Sequence, residues 1–159
     1  VRKNVGSWRT KSTWAMLDLA LAGQTREALI QLDKLLTAGE APIALLAQVS
    51  FSLRRLAAAT RLVMQDEAAG RPIRLANSLE RAGVKGFVIK KSADQLKRLG
   101  RHRGQLLLDW LIQADLDMKG DSRVAPRHVL ERLLVQLSSA SLRGKDAAAG
   151  LRPRKPITP

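Results

Sequence analysis

Apolar and polar positions follow a helical period along most of the chain. Leu29, Leu32, Leu35 and Leu36 fall on one face of an amphipathic helix predicted over about Arg26–Ala38. Gly39 stands just past that face, where a left-handed cap residue is wanted. Pro42 falls in the first turn of the next helix, where its missing N–H costs nothing. These residues predict a tight helix–turn–helix corner. The helix after it, Ile43 to about Ala69, carries two apolar stripes. One holds Ile43, Leu46, Ser50, Leu53, Ala57, Thr60 and Met64; the other holds Leu45, Val49, Leu56 and Val63. Two stripes mean burial on more than one side, which places this helix at the centre of a bundle. Its small residues Ala57, Ala58, Ala59 and Thr60 would let a neighbouring helix approach closely.

The remaining segments fit around that corner. A first helix is predicted from about Ser12 to Ala22, with Trp14, Leu17 and Leu21 on one side, ended by Gly23 and followed by Thr25 as N-cap of the next. After a stop at Gly70-Arg71-Pro72, a short helix, about Ile73 to Ala82, presents Ile73, Ala76 and Leu79. The next helix ends near Leu99 and is expected to bury Phe87, Val88, Ala93, Leu96 and Leu99 with its lysines outward. Arg101–Lys119 follows, and Pro126 begins a last helix through Val129, Leu130, Leu133, Leu134 and Leu137 that fades at Ser138-Ser139. With sparse β-branched residues and no sustained alternation, the fold class is all-α, a multi-helix bundle of about six or seven helices.

A chain of 159 residues suits one domain. Residues 1–13, with Gly6 and Ser7 as breakers and Trp8 docking them, read as a linker from a preceding domain absent here. Residues 14–140 read as the helical domain, and 141–159 as a basic tail without periodic pattern, expected to be disordered. A start at Val1 rather than Met, with no signal peptide, predicts a domain cut from a longer cytoplasmic protein.

The net charge of +14 has a location. Residues 1–11 contribute +4, 85–104 contribute +6 and 141–159 contribute +4, so everything between is balanced. The internal block is Lys85, Lys90, Lys91, Lys97, Arg98, Arg101 and Arg103 against Asp94. Such a block attracts polyanions through counterion release, and these seven are the nucleic-acid candidates. A solvated charged face explains them equally well. Aromatic stacking would sharpen the case, but the neighbouring aromatic, Phe87, is expected to be buried.

Catalytic chemistry is not visible. His102 and His128 have no partner at ligand spacing and read as surface histidines. With no Cys and no phosphate-binding glycine loop, neither metal nor cofactor is expected. Asp109 and Asp117 share a helix face, yet Asp115 points elsewhere, so they read as a polar edge. No apolar run reaches the roughly 18–20 residues of a membrane span.

Two stretches carry a resemblance. Ala28 to Leu56, "ALIQLDKLLTAGEAPIALLAQVSFSLRRL", pairs leucines with Gly39-Glu40-x-Pro42 and then a leucine-rich helix with Arg55 before Leu56. Leu106 to Leu137 holds Ala114, Asp115, Leu116, Met118, Lys119 and Gly120, then Pro126, then Glu131 between leucines. Phe87-Val88-Ile89-Lys90-Lys91 lies between them. In this order the three resemble the bacterial DNA polymerase III delta subunit family across about Trp14 to Ser138; the Pro-containing basic tail departs from it.

The resemblance implies a helical collar domain, the C-terminal part of a clamp-loader protein that is not itself the ATPase. It implies gamma/tau and delta-prime as partners through the collar. The sliding clamp would be met only by an N-terminal domain absent from this chain. Primed DNA is a candidate partner, no small-molecule substrate is implied, and the setting would be cytoplasmic, at the nucleoid. A collar predicts exposed apolar residues on the last two helices and on Arg26–Ala38. The alternative is a stand-alone basic helical module for DNA or RNA, which predicts that the basic block forms one continuous face.

Overall fold

A computed structural model of the chain describes residues 2–120 and 122–149, and the side chains of 6–120 and 122–139. The described residues form seven α-helices and no strand. They are α1 (Arg2–Leu21), α2 (Thr25–Thr37), α3 (Pro42–Ala68), α4 (Leu75–Arg81), α5 (Ile89–Leu99), α6 (Arg101–Lys119) and α7 (Pro126–Ala149). One 3-10 turn, Gly86–Val88, precedes α5. The expected all-α bundle is therefore the fold.

The two-stripe pattern of α3 has the consequence read from it. Leu45, Leu46, Val49, Leu53, Leu56 and Ala57 are buried, and α3 packs against α1, α4, α5, α6 and α7. Helix α7 is the second axis. It buries Val129, Leu130, Leu133, Leu134 and Leu137 and packs against α1, α2, α3, α5 and α6. Helix α1 adds Met16, Leu17, Ala20 and Leu21, and α2 adds Ala28, Leu32 and Leu35, each set at helical spacing on one side. At the stripe ends of α3 burial fails: Ile43 is exposed and Met64 is half-exposed.

Helix α6 comes close to α3 at Gly104. A Cβ built there would lie 2.3 Å from Thr60 Oγ1 and 2.8 Å from Thr60 Cγ2, so only a glycine fits this crossing as it stands. In the last turn of α3 the buried Asp66 fastens the chain that follows. It accepts from Arg71 Nε at 2.9 Å and from Arg81 Nη1 of α4 at 3.1 Å, holding the extended Arg71–Arg74 link against the bundle.

Several expectations are corrected. Helix α1 begins at Arg2, not near Ser12, so the stretch in which Gly6 and Ser7 were read as breakers is helical. Its breakers are absorbed: the Thr10 hydroxyl donates to the Gly6 carbonyl at 3.0 Å, and one glycine in a helix costs only about 1 kcal/mol. Trp8 on this segment is exposed rather than docked. Thr25 does not cap α2; its hydroxyl donates to Ser138 Oγ of α7 at 2.8 Å, tying the two helices together. Ile73 precedes α4 instead of starting it, so helical period does not govern it, and both Ile73 and Ala76 are exposed while Leu79 is fully buried.

At the other end α7 runs on past Ser138-Ser139 to Ala149. Ser138 is tolerated because its hydroxyl donates to the Leu134 carbonyl one turn back, at 2.8 Å. Residues 150–159 of the basic tail, and the side chains of 140–149, lie outside the described residues. The largest correction is Phe87, expected in the core and 86% exposed. It sits in the 3-10 turn, whose three-residue period rotates it away from the α5 face that buries Leu96 and Leu99.

Candidate partner and nucleic-acid surfaces

The seven basic candidates separate when folded. On α5 each residue advances about 100° around the axis, so Lys97 and Arg98 diverge, and on α6 Arg101 and Arg103 point to nearly opposite sides. Lys90, Lys91 and Arg98 line a groove of about 480 Å³ between α5 and the end of α1, with Phe87 at its rim. Lys97 and Arg101 line a second groove with Thr60 and Val63 of α3. Arg103 lines a third, between α6 and α7, with His102 and Trp110. Lys85, exposed, lies just beyond the turn at Gly83.

Two of the seven are already paired. Lys91 Nζ donates to Asp18 of α1, whose other oxygen accepts from Gln95 Nε2 at 2.9 Å, and Arg101 is paired with Glu67 of α3. In the α1–α5 groove, then, Lys90 and Arg98 make no ion pair among the described residues, although Asp94 also lines the groove. Phe87, which the sequence pattern had placed in the core, is exposed beside them.

The motif residues, by contrast, hold the fold. Gly39 takes φ +88°, and its N–H donates to the Leu36 carbonyl while the Glu40 N–H donates to that of Leu35, both at 3.0 Å. This closes α2 in a Schellman turn that a Cβ would strain. The nearly buried Glu40 carboxylate lies 3.0 Å from Arg9 Nε, a Coulombic clamp from the corner back to α1. Pro42 is the first residue of α3, and the Arg55 guanidinium lies 4.1 Å over the Phe51 ring.

In the second motif Asp115 and Lys119 pair at 2.7 Å along α6. Gly120 ends that helix, where a Cβ would come within 2.8 Å of the Leu116 carbonyl. Pro126 opens α7, and Glu131 accepts from Arg127 Nε at 2.8 Å. Arg127 also reaches Asp33 of α2 at 2.9 Å. Its hydrogen bonds to Glu131 and Asp33 raise its pKa further above the ordinary arginine range. Between α6 and α7, the hydrogen bond from Arg132 holds the Asp117 carboxyl below its ordinary pKa; desolvation opposes this, and the Gln113 amide at 3.0 Å assists it. Asp109, Asp115 and Asp117 thus have separate surroundings, and no metal-holding group occurs among the described residues.

Apolar side chains stand out where partner contact was expected. Ile112 and Leu116, one turn apart on α6, are 53% and 60% exposed, and Ile30 on α2 and Val135 on α7 are also exposed. Sequence reasoning missed a further cluster on α3, namely Phe51 with Arg54, Arg55 and Arg61. Counting net charge by segment hides these arginines, because Asp66 and Glu67 offset two of the three in the sum while pairing with other residues in space. The seven-residue spacing of Arg54 and Arg61 was the available signal.

No helix among the described residues is long and apolar enough to cross a membrane. A family model described as DNA polymerase III delta subunit, C-terminal domain, matches residues 10–137. No curated protein and no solved structure matches the chain significantly.

Proposed function

We propose a function from one premise: the chain belongs to the family of C-terminal domains of the DNA polymerase III delta subunit. As such a domain it serves as a collar. It packs beside its counterparts in gamma/tau and delta-prime and so helps to close the assembly that loads the sliding clamp onto primed DNA. One observation carries this reading. Ile112 and Leu116 project from α6 on the side away from buried Leu107 and Leu111, so the isolated chain leaves them in water. A contact between helices of neighbouring collars would cover them.

The test is co-elution with cognate gamma/tau and delta-prime on a sizing column with light scattering, at low salt and at roughly 0.3–0.5 M, where long-range attraction is screened. A complex held by helix packing persists at high salt and is lost with Ile112→Glu/Leu116→Glu. Absence of a complex at both salts, or indifference to the double substitution, refutes the collar.

A second reading concerns DNA and draws on exposed Phe87 beside Lys90 and Arg98. Here a base would stack on the ring while the cations meet phosphate. Primed-template binding followed by anisotropy should weaken with Phe87→Ala and lose salt dependence with Lys90→Glu/Arg98→Glu. Unchanged affinity in both variants removes this reading.

A further inference from the structure

The outward face of α3 is built from residues that neither surface above uses. Ala44, Phe51 and Ala58 recur on it every seven residues, about 10.5 Å apart along the axis. Phe51 is 55% exposed and stands as a knob, and half-buried Ala44 and Ala58 leave shallow seats one repeat to either side. Arg54 and Arg61, also seven apart, flank the stripe on one side. Arg55 flanks it on the other and caps one face of the ring.

None of these three arginines forms an ion pair among the described residues, whereas Arg71, Arg81, Arg101, Arg127 and Arg132 all do. Asp109 lies across the α3–α6 groove that Arg61 lines and makes no ion pair with it. The helix therefore offers an apolar seam between two unanswered positive edges.

We infer that this face docks an acidic amphipathic helix of a partner protein. Its apolar residues would straddle Phe51 at the seven-residue repeat, and its Asp or Glu residues, seven apart, would meet Arg54 and Arg61. Small residues beside a large one let two helix axes approach, and flanking charge then fixes register and partner choice. A phosphate backbone would use the arginines but leave the Ala44–Phe51–Ala58 seam without a counterpart, which is why a helix fits better than nucleic acid.

The test uses the full 159-residue chain and two fluorescent peptides of equal composition. One is a designed helix of about three heptads with Leu on the seam and Glu at its flanks; the other has the same residues in scrambled order. Anisotropy titrations at about 0.15 M salt limit long-range attraction. The designed helix should bind roughly tenfold or more tighter than the scrambled one, and Phe51→Ala and Arg54→Glu/Arg61→Glu should each remove roughly tenfold or more. Lys90→Glu/Lys97→Glu on α5, an equal change of charge, should leave binding within a factor of about three. All five altered residues are solvent-exposed, and circular dichroism of each variant confirms that the helices persist. Equal binding of the two peptides overturns the inference, as does equal loss in the α5 variant. So does a single-stranded or duplex oligonucleotide whose binding, rather than the peptide's, depends on Arg54 and Arg61; the face would then be a phosphate contact.

Discussion

Replacing Gly104 by Ala tests the packing of the bundle where α6 meets Thr60 of α3. The new methyl would sit 2.3 Å from Thr60 Oγ1, 2.8 Å from Cγ2 and 3.0 Å from Cβ. An ordinary carbon contact needs about 3.5–4.0 Å, so the deficit at Cγ2 alone is about 0.7 Å or more. Rotating Thr60 about χ1 would exchange its hydroxyl and methyl but cannot move Cβ, so no rotamer clears the overlap. The hydroxyl is moreover held to the Leu56 carbonyl at 3.0 Å. Helix α6 must therefore shift away from α3, at an overpacking cost of about 1–3 kcal/mol. Alanine over glycine returns about 1 kcal/mol of helix propensity. The lack of a side-chain escape places the clash near the top of its range and leaves a net loss of about 1–2 kcal/mol. Urea unfolding followed at 222 nm should show a lower midpoint with unchanged slope. In a Thr60→Ala background Oγ1 and Cγ2 are gone, and Gly104→Ala should cost at least about 1 kcal/mol less there. A midpoint that rises in the parent, or an identical cost in both backgrounds, refutes the steric account.

Other outcomes follow from separate features. Phe87→Ala should leave the urea midpoint within about 0.5 kcal/mol of the parent, whereas Leu79→Ala, at a fully buried site, should cost about 2–5 kcal/mol. A comparable loss at both sites would put Phe87 back in the core. Gly39→Ala should cost about 1 kcal/mol, read in the same melts, because φ +88° is a left-handed conformation that a Cβ disfavours. Asp117 has its folded pKa below the ordinary 3.8 because of Arg132, so its contribution is present above that value and is lost as pH falls through the folded pKa. Asp117→Asn should therefore lower the urea midpoint at pH 7 and converge on the parent as pH falls through the lowered pKa; a difference that stays constant down the acid limb would contradict the assignment.

Local chemistry made the corner legible in the sequence, because Gly39 and Pro42 act on neighbouring backbone groups and their effects need no tertiary context. The leucines of α2 and α7 were legible for a similar reason, since a sustained 3.6-residue period admits one buried side, and the two stripes of α3 marked a helix buried on more than one. Phe87 was not, because extending the α5 period backwards assumes α-helix where the chain forms a 3-10 turn. The basic block misled in another way. Lys97-Arg98 and Arg101-x-Arg103 are neighbours in sequence, and helical rotation sends their side chains into different grooves. Arg54 and Arg61 met the opposite fate, distant along the chain yet together on one helix row.

The bond from Thr25 to Ser138 spans 113 residues, and α7 packs on both α1 and α2. As this domain is synthesised, the α1–α2 hairpin therefore has no cover for much of its apolar side until α7 has been made. Met16, Leu17, Leu32 and Leu35 must wait in a half-finished bundle while α3 to α6 are synthesised. Contacts of such long separation slow the search for the native state. A product truncated before Leu130 would lack the helix that covers α1 and α2 and would leave their apolar sides in water.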